Sequence, residues 1–224
     1  MSVKDMSITK DRLFLKARFT IALITIFLWI LTFWIIVESL ISKGTVYYLD
    51  YEVKWFVRGV ANPSVKEFMI SIINILYPFD HYVVLGIFGI LLLCLLLKKE
   101  LWSIIALFLS IGGGEVLINI MKKFFHGWNP ILQIRDFPSR HAFYAMLFCG
   151  FVMYLGGEII KSNLLKSLIC LLCTSLILLM GIILIVLDLH WFSDVLGGYC
   201  AGFSWLLITI LLTKIIRYFW EGEY

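Results

Sequence analysis

Long apolar runs alternate with short polar breaks along this chain, and run length sets the first reading. About 20 consecutive apolar residues cross the hydrocarbon of a bilayer as a helix, the form in which a single segment satisfies its own backbone polar groups. Six runs qualify, at about 19–41, 78–97, 101–121, 142–160, 164–187 and 195–216. The pattern predicts an all-α fold, a six-transmembrane-helix bundle forming a single membrane domain over residues 1–224. In the second run the purely apolar part begins only at Val83. Pro78 suits the first turn of that helix, where a missing N–H leaves nothing unpaired. Lys98-Lys99-Glu100 makes a tight turn between spans two and three. The first run is too long for the core of a cleaved signal peptide and ends in Val37-Glu38-Ser39, so it reads as a retained span.

Between spans one and two, roughly Val46 to Met69, the pattern changes. Asp50, Lys54 and Arg58 recur every four residues and form one polar stripe in a favourable acid-to-base order. Tyr47, Tyr48, Tyr51, Trp55 and Phe56 supply the aromatic complement. This predicts an amphipathic helix lying in the membrane interface, as an anchor before a cover for a lipid access path.

Composition agrees with a membrane protein. The apolar fraction is 62%, against roughly 45–50% in soluble domains. Charged residues make up 15%, against about 25% in such domains. The net charge of +4 comes without a dense basic run outside the N-terminus, which argues against nucleic-acid binding. Cys94, Cys149, Cys170, Cys173 and Cys200 all lie in apolar runs, where thiols pack as small hydrophobes. The Cys170-x-x-Cys173 pair has no second ligand pair and reads as membrane packing.

Charge placement orients the chain. Lys4, Lys10, Arg12, Lys16 and Arg18 precede span one and belong in the cytoplasm. Alternation then puts Lys98, Lys99, Lys161, Lys166, Lys214 and Arg217 on the same side, with both termini cytoplasmic. His81, His126, His141 and His190 all fall outside, as do Pro63, Pro78, Pro130 and Pro138.

Two polar islands therefore open at one face. The first runs from Lys122-Lys123 through Asn129-Pro130 to Pro138-Ser139-Arg140-His141; the second is His190-Trp191-Phe192-Ser193-Asp194. Asp194 follows His190 by four residues, so both share a helix face, and a carboxylate there can fix the imidazole tautomer. His141 supplies a second imidazole at the same level, giving a possible nucleophile and a possible proton donor. Lys122 and Lys123 offer cationic partners, or else end a span by snorkelling. The helix start at 139–142 offers free N–H groups, which suit a phosphate. His126 and His81 read as interfacial residues, and Glu115 as a structural partner within span three. Gly198 and Gly202 have the small-xxx-small spacing that allows close helix approach.

These residues resemble the motifs of the type-2 phosphatidic acid phosphatase superfamily of membrane lipid phosphate phosphatases: K-x6-R-P, P-S-G-H and S-R-x5-H-x3-D on a six-helix bundle. Lys122 precedes Asn129-Pro130 at the first spacing, Pro138-Ser139-Arg140-His141 matches the second except at its third residue, and His190 with Asp194 ends the third. The phosphatase-like core covers about 64–216. Three positions depart: Asn129 stands for the first arginine, Arg140 for the glycine, and Ile183-Leu184 for the serine and arginine of the third motif.

The resemblance implies that His190 attacks phosphorus to form a phosphohistidine, held by Asp194, while His141 protonates the leaving oxygen. Lys122 and Ser139 would bind the phosphate, with Arg140, Asn129 and Arg135 as further candidates, and Arg140 and Arg135 as replacements for the lost charge. The family needs no metal or cofactor, and no H-E-x-x-H motif is present here. The expected partner is a lipid phosphate substrate, or a bound lipid, at the outer face of the plasma membrane. Two alternatives come from other classes. One is a catalytically silent lipid-binding or scaffold protein, because neither Asn129 nor Leu184 can reproduce a guanidinium's fork. The other is a transporter, whose broken helices and paired repeats the sequence lacks.

Overall fold

In the computed structural model the described residues are 3–76, 89, 92–93, 95–97, 100–128, 131–132 and 136–221, with side chains described from Thr20 onward apart from 74–76 and 221. Seven helices organise them: α1 (Val3–Ile41), α2 (Thr45–Val60), α3 (Pro63–Leu76), α4 (Leu101–Trp128), α5 (Arg140–Ile159), α6 (Asn163–Val186) and α7 (Phe192–Glu221). Five of them, α1 and α4 to α7, are long and apolar enough to cross a membrane. Span two, at 78–97, lies largely outside the described residues, as does Lys98-Lys99.

Helix α7 is the centre of the bundle, touching α1, α2, α4, α5 and α6. Its tightest partner is α5, and glycine is the reason. A Cβ on Gly198 would lie 2.5 Å from the Ser139 carbonyl oxygen, and one on Gly202 would lie 2.6 Å from that of Phe143. Backbone cannot retreat as a side chain can, so these positions permit a helix approach that any other residue blocks. The small-xxx-small spacing seen in the sequence is used for that purpose. Two polar contacts cross the bundle interior, where burial in hydrocarbon favours pairing: Ser110 Oγ meets Thr209 Oγ1 at 2.9 Å, and Trp205 Nε1 donates to the Ser110 carbonyl at 3.0 Å, both joining α4 to α7. Around them lies one apolar core of Val37, Leu40, Leu107, Ile118, Phe143, Leu147 and Phe151.

The stretch between spans one and two is two helices instead of one. The break falls at Ala61-Asn62, where Asn62 Oδ1 accepts the Val65 N–H at 2.9 Å and Pro63 opens α3. Asn62 and Pro63 together are a helix-start signal inside the apparent single helix. The amphipathic character of α2 is inverted relative to a soluble helix. Its polar stripe faces the protein, while Trp55 and Phe56 are 72% and 71% exposed on the other side.

Two further boundaries move. Helix α4 continues past the expected end at 121 to Trp128, and α7 begins at Phe192, three residues before the expected start. Both extensions carry polar residues that find partners within the protein, Lys122 and His126 in the first and Ser193 and Asp194 in the second.

Replacing Gly198 by alanine is expected to destabilise the protein by about 1–3 kcal/mol, the usual cost of overpacking. Gly112, whose added Cβ meets nothing within 4 Å, serves as control and should tolerate alanine. Thermal unfolding in detergent, compared across the two variants, checks this.

Candidate active site

The starts of α5 and α7 are tied together, and that junction builds the site. The Ser139 N–H donates to the Asp194 carbonyl at 3.0 Å, while Ser139 Oγ caps α5 by accepting the Ala142 N–H at 3.4 Å. Phe137, fully buried, packs its ring over Gly197 and against Phe33 and Phe125, fixing the loop that enters α5. Consequently His141 and His190, far apart in sequence, stand with ring centroids 6.4 Å apart.

Asp194 is wholly buried behind His190. Its Oδ2 lies 3.7 Å from His190 Nδ1, an ion-pair distance longer than a hydrogen bond. The same oxygen accepts the Trp191 N–H at 2.9 Å. Trp191 precedes the first residue of α7 and Asp194 is its third, so this is the return half of a capping box. The helix start thereby aims the carboxylate.

Lys122 reaches the same end of the bundle from α4. Its Nζ pairs with Asp136 Oδ1 at 2.6 Å and donates to the Asp136 carbonyl at 3.2 Å, and His126 Nε2 lies 3.4 Å from the same carboxylate. Asp136 has a left-handed backbone (φ 57°), which aspartate tolerates better than most residues. Neither Asp136 nor the engagement of His126 follows from the motif. A charged residue just before Phe137-Pro138 was the available signal.

Arg140 is directed elsewhere. Its guanidinium donates to Asn119 Oδ1 at 2.6 Å and to Glu115 Oε1 at 3.4 Å, both on α4. Asn119 Nδ2 also donates to Glu115 Oε1, at 2.7 Å, and the Tyr144 hydroxyl donates to Glu115 Oε2. Glu115, Asn119, Lys122 and His126 recur at helical spacing, so α4 presents one polar edge toward α5 and its approach loop. The structural role expected of Glu115 has named partners. Asn129, Pro130 and Arg135 lie outside the described residues, as does His81.

The third-motif positions are hydrocarbon. Ile183 and Leu184 are both 0% exposed, and Leu184 packs against Ala142 and Val195. The Leu184 carbonyl accepts the N–H groups of Leu189 at 3.0 Å and His190 at 3.2 Å, closing the turn that carries the histidine.

A cavity of about 150 Å³ adjoins His190, with Asp50, Lys54, Asp188 and Trp191 in its wall. Asp50 and Lys54 come from α2, which the motifs do not include.

A helical bundle with five helices long and apolar enough to cross a membrane defines the class: a polytopic membrane protein, here with two imidazoles and a buried carboxylate gathered at one end. Comparison with known proteins makes this particular. Residues 128–218 match the model of the PAP2 superfamily, so the resemblance to the type-2 phosphatidic acid phosphatases holds over the segment with the second and third motifs. The fold is similar to that of a solved structure, described as the first transmembrane PAP2 type phosphatidylglycerolphosphate phosphatase from Bacillus subtilis. The TM-score is 0.70 at 18% identity, over 86% of this chain and 97% of that one. No curated protein matches the sequence.

Removing Arg140 leaves Glu115 short of its cationic partner. Arg140→Ala is expected to lower the thermal midpoint slightly, with a loss of at most about 1 kcal/mol, because the pair is partly exposed. Adding Glu115→Gln should restore part of that loss. A double-mutant cycle by thermal unfolding reads the coupling.

Proposed function

We propose that this chain is a membrane lipid phosphate or pyrophosphate phosphatase, or a phosphotransferase, working through a phosphohistidine at the extracytoplasmic face of the plasma membrane. The observation that carries the reading is the pairing of His141 with His190 at 6.4 Å, with Asp194 buried behind the second ring.

Asp194 lies on the Nδ1 side of His190, which leaves Nε2 to attack. The Nε2 lone pair forms a bond to phosphorus as the bond from phosphorus to the lipid oxygen breaks. His141 gives its proton to that oxygen. It then takes a proton from the water that cleaves the phosphohistidine, or from an acceptor hydroxyl in a transfer. Lys122 and the N-terminal end of α5, which begins after Ser139, stabilise the anion. With Arg140 held by Glu115 and Asn119, these groups are the principal phosphate grip in this reading, with Asn129 and Arg135 as further candidates. Phosphoryl transfer needs positioning and charge stabilisation above all, so such a grip suffices in principle.

A second reading is supported by Leu184. The position of a phosphate-gripping arginine is filled by a fully buried aliphatic side chain. A silent lipid-binding or scaffold protein on the same fold is consistent with that loss.

Phosphate release from a panel of lipid phosphates by purified protein separates the two. Under the enzymatic reading, His190→Ala abolishes release and Asp194→Asn lowers kcat by about 10²-fold or more, as expected when a histidine loses its orienting acid. Vanadate then inhibits the wild type and fails to bind His190→Ala. No release from any lipid by folded wild type selects the silent reading.

A further inference from the structure

Helix α7 has only half of a capping box of its own, the Asp194 side chain reaching back to the Trp191 N–H. The residue at its N-cap position is Trp191, whose indole has no oxygen to accept an orphan N–H. Asp194 serves the Trp191 N–H, and the Asp194 N–H reaches the Trp191 carbonyl at 3.1 Å, but neither bond serves the Ser193 N–H between them. The acceptor comes from α2, across 143 residues of sequence: Asp50 Oδ1 takes the Ser193 N–H at 2.9 Å and Oδ2 takes the Ser193 hydroxyl at 2.7 Å. Asp50 is 1% exposed and Ser193 is 0% exposed. A carboxylate so deeply buried is tolerated where a helix start supplies positive potential and two donors.

One and two turns further along α2 the same stripe holds the other side of the histidine. Lys54 Nζ pairs with Asp188 Oδ1 at 3.0 Å, and Arg58 lies 3.8 Å from Oδ2. Lys54 Nζ also sits over the Trp191 ring at 4.2 Å, against which Tyr51 packs. Asp188 is the left-handed residue (φ 58°) of the turn between α6 and His190. The stripe therefore grips residue 188 before the histidine and residue 193 after it.

We propose that Asp50 is a positioning residue for the His190–Asp194 pair, acting as a cap supplied in trans by α2, with Lys54 and Arg58 bracing the preceding turn. This assigns a function to a helix outside the segment matched by the superfamily model. The inference rests on the proposed phosphatase reading for its kinetic form, but not for its structural form.

The test uses the full-length protein with Asp50→Ala, Asp50→Asn and the pair Asp50→Ala/Ser193→Ala. Two quantities are measured for each: phosphate release kinetics, and backbone hydrogen exchange across 187–194. Asparagine can still accept the Ser193 N–H and donate to its hydroxyl oxygen, so Asp50→Asn should keep most of the activity and protection. Asp50→Ala should lose about 10²-fold in kcat with KM unchanged, the scale of a small misplacement of a reacting group. Its exchange at 187–194 should rise, and Ser193→Ala should add little to it.

A kcat for Asp50→Ala within about twofold of wild type, normalised to folded protein, overturns the proposal. So does a loss confined to KM, which would make Asp50 a substrate contact. If wild type releases no phosphate at all, the phosphatase reading fails. The exchange comparison then still decides, and unchanged protection at 187–194 in Asp50→Ala refutes the cap.

Discussion

The bond from the Ser139 N–H to the Asp194 carbonyl holds two helix starts in register, and the chemistry of the molecule is arranged around it. It exists only because Gly198 lets the two backbones come so close. Ser139 then caps one helix while Asp194 helps to cap the other, and the two histidines flank the joint. A single backbone contact thus couples a packing solution to a reactive geometry. The apolar core supplies the general attraction between helices, but this contact sets which residues face each other.

The joint is formed although neighbouring residues depart from the motifs they resemble. Leu184 occupies an arginine position yet keeps the carbonyl that closes the histidine turn. Arg140 occupies a glycine position, and α4 provides Glu115 and Asn119 to receive it. In each case the backbone role and the side-chain role have separated. Geometry in this region is carried by main-chain groups, while charge has been redistributed among side chains. The same separation makes the loss of a motif side chain a weak guide to the state of the site.

Much of this was legible from the sequence, and what escaped has a common cause. Apolar run length identified the five described spans, and motif spacing picked out His141, His190 and Asp194 as one group. Helix ends were misjudged where polar residues continue a helix by finding partners inside the protein, as Lys122 does with Asp136. The stripe of Asp50, Lys54 and Arg58 was visible as a period of four, but periodicity says only that three groups share a face. It does not say whether that face meets water or a distant loop. Asp50 and Ser193 carry no mark in sequence of belonging together. Likewise, the cationic Arg140 beside a motif histidine suggested an anion, and its actual partners lie a helix away.

The outward face of α2 has a consequence of its own. Trp55 and Phe56 project from the same short helix whose opposite side holds the loop bearing His190. Their surroundings, lipid tails or the shell of a micelle, therefore press on one side of an element whose other side lines the candidate site. Solvent for this protein is a component of its architecture. Acyl-chain length and headgroup crowding become variables of the site, as ionic strength is for a soluble enzyme.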